Sequence, residues 1–130
     1  MKMNIEMKNY ELDHMLGAIR AIAKDNIRLP VKTSYLLSKN RIAIENALKA
    51  YSESFNEIVK MYSKDGESKF SVNKDKDPEI YAAVSNAISE LQNEVSAVDI
   101  TPIPISCFEG YDIPYAYVDA LVPCIKDGDE

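Results

Sequence analysis

The sequence predicts a single α+β domain over 1–130, mostly helical. It has a long antiparallel helix pair, a first helix, a short C-terminal helix and a small two-stranded β element made of the N-terminal strand and Val98–Ile105. Three observations predict this. Met1, Met3, Ile5 and Met7 alternate with Lys2, Asn4, Glu6 and Lys8, the period of a strand with one wet face. Ile44, Leu48, Tyr51, Phe55, Ile58 and Tyr62 step by four and three, and so do Tyr81, Val84, Ile88, Leu91 and Val95. Two such heptad seams are natural partners for each other. Finally, Val98–Ile105 is β-branched yet carries Pro102 and Pro104, which cannot donate ladder bonds, so it is an edge strand or an extended strap.

The elements follow in order. Asn9 can cap a first helix from Tyr10 to about Lys24, with Leu12, Met15, Leu16, Ile19 and Ile22 as its apolar stripe and Asp25-Asn26 as its stop. Pro30 suits the first turn of a second helix, because its missing N–H costs nothing there. No further Pro or Gly interrupts Val31–Lys64, and Arg41, Glu45 and Lys49 form outward i,i+4 pairs. Those 34 residues would span about 50 Å, well beyond the ~13–15 Å gyration radius of a compact domain this size. The helix must therefore bend or break, near Ser38–Asn40, or protrude. Asp65-Gly66 ends it, and lysine-rich Glu67–Lys76 forms a loop or small hairpin anchored by Phe70 and Val72. Asp77-Pro78 starts a third helix that runs to about Glu94. Glu109-Gly110 turns the chain. Pro114 opens the last helix, with Tyr115, Val118, Leu121 and Val122 inward, and Pro123 stops it. Residues 125–130 form a charged tail that frays.

Charge is split along the chain. Met1–Lys76 carries 14 Lys/Arg against 10 Asp/Glu, whereas Asp77–Glu130 carries one against 11. Such a directional field acts on association and on choice of partner, not on fold. The apolar share of 46% and charged share of 28% are those of a globular domain, and no stretch approaches the ~20 apolar residues of a membrane helix. The start MKMNIEMKNY has no apolar h-region and does not read as a secretion signal. Cys107 and Cys124 are expected to be free thiols, although spacing alone allows a disulfide.

Catalytic chemistry is poorly provided for. His14 is the single histidine, whereas a zinc site needs three or four ligands. Nucleophile–base catalysis would fall to Cys107 with His14 as the available Cys/His pair, and nothing in the sequence places them together. The four glycines never cluster as a phosphate-cradling loop requires. Asp75, Asp77 and Glu79 alternate with Lys74 and Lys76 and read as a neutralised helix start. The tail Asp127-Gly128-Asp129-Glu130 lacks the ligand positions of a calcium loop. No cofactor, no metal and no enzymatic activity are expected.

The stretches LPVKTSYLLSKN (Leu29–Asn40), VDITPIPISCFEG (Val98–Gly110) and DIPYAYVDALV (Asp112–Val122) together resemble a family of small phage proteins, domain-of-unknown-function family 1617. The likeness covers most of Leu29–Val122. Members show a similar Leu-Pro-x-Lys start, a charged helix, a Val-Asp-Ile strand with a Glu-Gly turn, and a short helix opened by a Ser-Pro or like pair. Pro102, Pro104 and Pro123 depart from that pattern, at the late strand and the last helix. The resemblance implies a phage or prophage product acting in the host bacterial cytoplasm, and it transfers no catalytic residue.

The expected function is therefore that of an interaction protein: an acidic inhibitor of a host nucleic-acid-binding defence complex, similar in kind to an anti-CRISPR protein. The expected contact face is Asp99, Glu109, Asp112 and Asp119 with Tyr111, Tyr115 and Tyr117. Tyrosine brings a large apolar body and a polar tip to interfaces. The partner would be a host protein with a basic surface, such as a CRISPR nuclease, or another phage protein. Direct nucleic-acid binding is disfavoured because phosphates need cations, and no membrane contact is expected. The alternative is a virion or tail-assembly scaffold, a homodimer or larger oligomer joined through the Ile44–Tyr62 seam.

Overall fold

The computed structural model describes residues 2–61 and 78–127. Chain order is β1 (Met3–Lys8), α1 (Asn9–Lys24), α2 (Val31–Ala47), α3 (Lys49–Met61), α4 (Pro78–Asn93), β2 (Val95–Ile100), β3 (Ile103–Pro104), α5 (Tyr115–Leu121) and β4 (Ile125–Lys126). Short 3-10 turns cover Ile105–Phe108 and Val122–Cys124. The mostly helical α+β architecture is thus as the sequence predicts.

β1 pairs antiparallel with β2, Met3 opposite Ile100 and Lys8 opposite Val95. The alternation read from the sequence sets the faces. Ile5 and Met7 turn inward with Val98 and Ile100, while Asn4, Glu6 and Lys8 face solvent with Val95, Ala97 and Asp99. Most of the core comes from α1, whose stripe Leu12, Met15, Leu16, Ile19 and Ile22 is buried as expected. Leu37 and Ile44 of α2 and Leu48 just after it, together with Ile103, Phe108, Leu121 and Cys124, close around it. Asn26 follows α1 with φ 55°, the left-handed conformation an asparagine tolerates, so Asp25-Asn26 does stop the helix.

Several boundaries differ from expectation, each for a physical reason. The long helix kinks at Leu48, where φ is −90° and ψ is 2°, not near Ser38–Asn40. The bond ladder survives the kink: Leu48 N–H donates to Ile44 O at 2.9 Å and Ser52 N–H to Leu48 O at 2.8 Å. Leu48 is 3% exposed, so the bend keeps α2 on the core while sending α3 towards α4. Tyr51 at the start of α3 accepts Gln92 near the end of α4 as a hydrogen-bond partner, the placement an antiparallel pair requires. Tyr62, Asp65-Gly66, the Glu67–Lys76 loop with Phe70 and Val72, and the Asp75/Asp77 carboxylates lie outside the described residues.

Val95 is not part of the α4 stripe. It opens β2 and is 54% exposed on the outer sheet face. Val98–Ile105 is likewise not one strand: β2 ends at Ile100, and β3 joins a second, parallel pairing with β4. Between them the buried Asn40 side chain takes the place of a neighbouring strand. Its Nδ2 donates to Thr101 O at 3.0 Å, and its Oδ1 accepts Thr101 N–H at 2.8 Å. Prolines on either side of Ile103 bar a continuous ladder, and the asparagine satisfies the backbone that the break would orphan. Thr33, 1% exposed, makes a second clamp by donating to Cys107 O at 3.3 Å.

Asn9 is not the cap of α1. Lys8 holds that place, and its N–H donates to Glu11 Oε1 at 3.2 Å. Asn9 is instead buried as a junction: its N–H donates to Glu94 O at 2.9 Å, its Nδ2 to Leu91 O at 2.8 Å, and its Oδ1 accepts the Ser96 hydroxyl. Ile125 and Lys126 do not fray, because β4 pairs them with Ile103 and Pro104.

Candidate functional site

The expected contact face gathers mainly on the Glu109–Val122 stretch. Gly110 adopts φ 81°, which a glycine reaches freely, and this turns the chain out of the 3-10 helix. A Cβ there would meet nothing within 4 Å, so the requirement is conformational rather than spatial. Glu109, Tyr111 and Asp112 stand exposed around this turn. Pro114 then starts α5, its carbonyl accepting Tyr117 N–H at 3.0 Å and Val118 N–H at 3.3 Å.

Tyr115 and Asp119 of α5 and Val122 just after it face outward, spaced four and three apart on one side. Tyr115 is 82% exposed and Val122 57%, contrary to the expectation that both face inward. α5 packs on α1 through one side only, so Leu121 fills the core and the opposite side remains in water. Tyr117 departs from the expected face. It packs against the core, and its hydroxyl donates to Asp25 Oδ2 at 2.7 Å, pinning the start of α5 to the end of α1. That bond raises the Tyr117 phenol above its ordinary value, since losing the proton would leave two anions together.

Asp99 is the other exception. It lies on the outer face of the β1–β2 sheet, accepting Asn4 Nδ2 at 2.9 Å, on the same face as Lys8. Its hydrogen-bond partner is thus an amide of β1, and it stands on a different face from α5.

The end of α5 forms a groove of about 470 Å³ with the start of α1. Met7, Ala120 and Pro123 supply apolar surface, Tyr10 and His14 are rings at its wall, and Glu11 and Asp119 bring carboxylates. Among the described residues the ion pairs are Arg20–Glu45 at 2.7 Å and Arg41–Glu45 at 2.9 Å, so neither groove carboxylate is neutralised by a described cation. Sequence reasoning missed Tyr10, Glu11 and His14 as neighbours of Asp119. Their only signal was position, since they flank the apolar stripe of α1, where any element packed on that stripe would meet them.

Comparison with protein-family models, curated proteins and solved structures finds no match.

The remaining reactive groups sit apart from this surface. Cys107 and Cys124 are both free. Cys124 lies in the core with Sγ 3.2 Å from Met15 Sδ, and burial pushes its thiol up to about 12. A thiol held protonated in this way is a poor nucleophile. Among the described residues no three His, Cys, Asp or Glu side chains are grouped to hold a metal ion. No described helix is long and apolar enough to cross a membrane.

Proposed function

We propose that this chain is a non-enzymatic, phage-encoded interaction protein. It docks through α5 and the adjoining groove on a basic surface of a host nucleic-acid-binding defence complex, in the manner of an anti-CRISPR protein. The observation that carries this reading is the outward side of α5. There Tyr115, 82% exposed, stands with Asp119 beside a groove whose carboxylates have no described cationic partner. Exposed aromatics at the centre of a charged patch are the usual anchors of protein interfaces. Carboxylates can compete for a channel built to hold phosphates, such as that of an RNA-guided nuclease.

The test is binding of a purified RNA-guided nuclease by the wild-type chain, Tyr115→Ala and Asp119→Lys. Both side chains are exposed, so the fold should tolerate the changes. Loss of about tenfold or more in affinity for each variant supports docking through α5. Unchanged affinity for both variants rejects it.

A scaffold role in virion or tail assembly is favoured by one separate observation. No residue of α3 is buried, and Met61, Ile80 and Tyr81 are exposed at the ends of α3 and α4. Ile44 and Leu48 already belong to the chain's own core, so the surface left for a second copy would centre on Phe55, Ile58 and Met61. Sedimentation equilibrium decides this: a dimer dissociated by Met61→Lys supports the scaffold, and a monomer at all concentrations removes it.

A further inference from the structure

A second concave site lies between α1 and α2, on different residues from the α5 groove. It is a cleft of about 250 Å³. Its floor is apolar, built from Ile19, Ile22 and Leu37, each 4–5% exposed, with Ile27 beside them. It stays open because the residues at its edge are small: Ala23 on α1, Ser34 and Ser38 on α2. At its mouth stand Arg20 and Arg41, which both donate to Glu45.

The electrostatics of the mouth are specific. Glu45 is held below its ordinary carboxylate value, first by the Arg20 hydrogen bond, so it remains charged and cancels one of the two guanidinium charges. Within the bonded Arg20–Glu45–Arg41 group one positive charge is left in excess. Each guanidinium carries five N–H donors, more than its bond to Glu45 uses. From this geometry we infer that the α1–α2 cleft binds a small amphipathic monoanion: a carboxylate carrying a short apolar chain or ring, with the apolar part on Ile19, Ile22 and Leu37 and the carboxylate at Arg41 and Arg20. The volume falls below the ~300–1,000 Å³ of pockets for drug-sized ligands, which limits the apolar part to a small group. The same chemistry is offered by a free acid or by the C-terminal residue of a peptide, and the experiment separates them.

The experiment is an amide-shift titration of the full chain with 4-phenylbutyrate, with 4-phenylbutylamine as the cationic control and Gly-Gly-Phe as the peptide source. Shifts confined to Ile19, Ala23, Ser34, Ser38 and Arg41, saturating at one equivalent bound with phenylbutyrate and absent with the amine, are expected. Tighter binding of Gly-Gly-Phe than of phenylbutyrate assigns the site to a peptide C-terminus; the reverse order assigns it to a free acid. Arg41→Gln should weaken binding about threefold, the size of an exposed ion pair. Ser38→Phe, which fills the opening from an exposed position, should abolish binding while the thermal midpoint is kept. Scattered or absent shifts, equal binding of acid and amine, or unaltered affinity in Ser38→Phe would overturn the assignment.

Discussion

α1 and α3 are both amphipathic, yet they end in opposite circumstances. α1 buries seven residues, from Asn9 to Ile22, and α3 buries none. The difference lies in what covers each helix. α1 is packed by α2, α4, α5 and β1, whereas α3 leans chiefly on α4. A periodic apolar stripe therefore says which side of a helix will be covered, and the number of elements that reach it says how deeply. Among the described residues α1 forms the centre of the core, and α3 keeps an apolar side that is only partly covered.

The sharpest way to break this contrast is truncation on each helix. Leu12→Ala, at a site with no exposure, should cost about 2–5 kcal/mol in denaturant unfolding. Phe55→Ala, at a partly buried site beside Tyr51, should cost about 1–2 kcal/mol, because its ring is not fully removed from water. Equal losses would show that α3 is as deeply packed as α1. The clamp between α2 and Thr101 comes next. Asn40→Ala removes both partners of that backbone unit and should cost about 2–3 kcal/mol, and Asn40→Asp, which buries a carboxylate and sets an oxygen against Thr101 O, should cost at least as much.

A smaller and pH-dependent effect concerns the core thiol. Cys124 keeps its proton to about 12 in the folded chain, against 9.0 when free of burial. Between those values the unfolded chain binds fewer protons than the folded one, so stability is full below pH 9 and falls as pH rises towards 12. Unfolding at stepped pH should show that part of the fall missing in Cys124→Ala. Ellman's reagent should modify Cys107 first in the native chain and both thiols only after unfolding. Hydrogen exchange gives the gentlest comparison: α1 amides should outlast those of α3, and the reverse order would invert the contrast.

Much of the centre was legible in the sequence. The alternation from Met3 to Lys8 and the stripe from Leu12 to Ile22 repeat at the periods their backbones impose, so local pattern and tertiary burial agree. Legibility failed where a distant residue decided the outcome. Nothing near Ile100 shows that Asn40 will stand in for a strand at Thr101. Val95 fits a helical step equally well, and only pairing with Lys8 draws it into β2. Ile125 looked like tail until β3 offered it a partner. The candidate surface follows the same rule. Tyr111, Asp112 and Asp119 were legible as exposed acid and aromatic residues, whereas the helical spacing of Tyr115 pointed inward and the structure turns it out. The inward turn of Tyr117 to Asp25, and the meeting of Asp119 with Glu11 and His14, depend on how α5 lands on α1.

The most direct measurement is the affinity of the full chain for a purified RNA-guided nuclease at rising salt, taken beside Asp119→Lys. Docking through the acidic side of α5 predicts affinity that falls steadily with ionic strength and a shallower dependence in the variant. Binding insensitive to salt, or identical salt curves for the two chains, would contradict it.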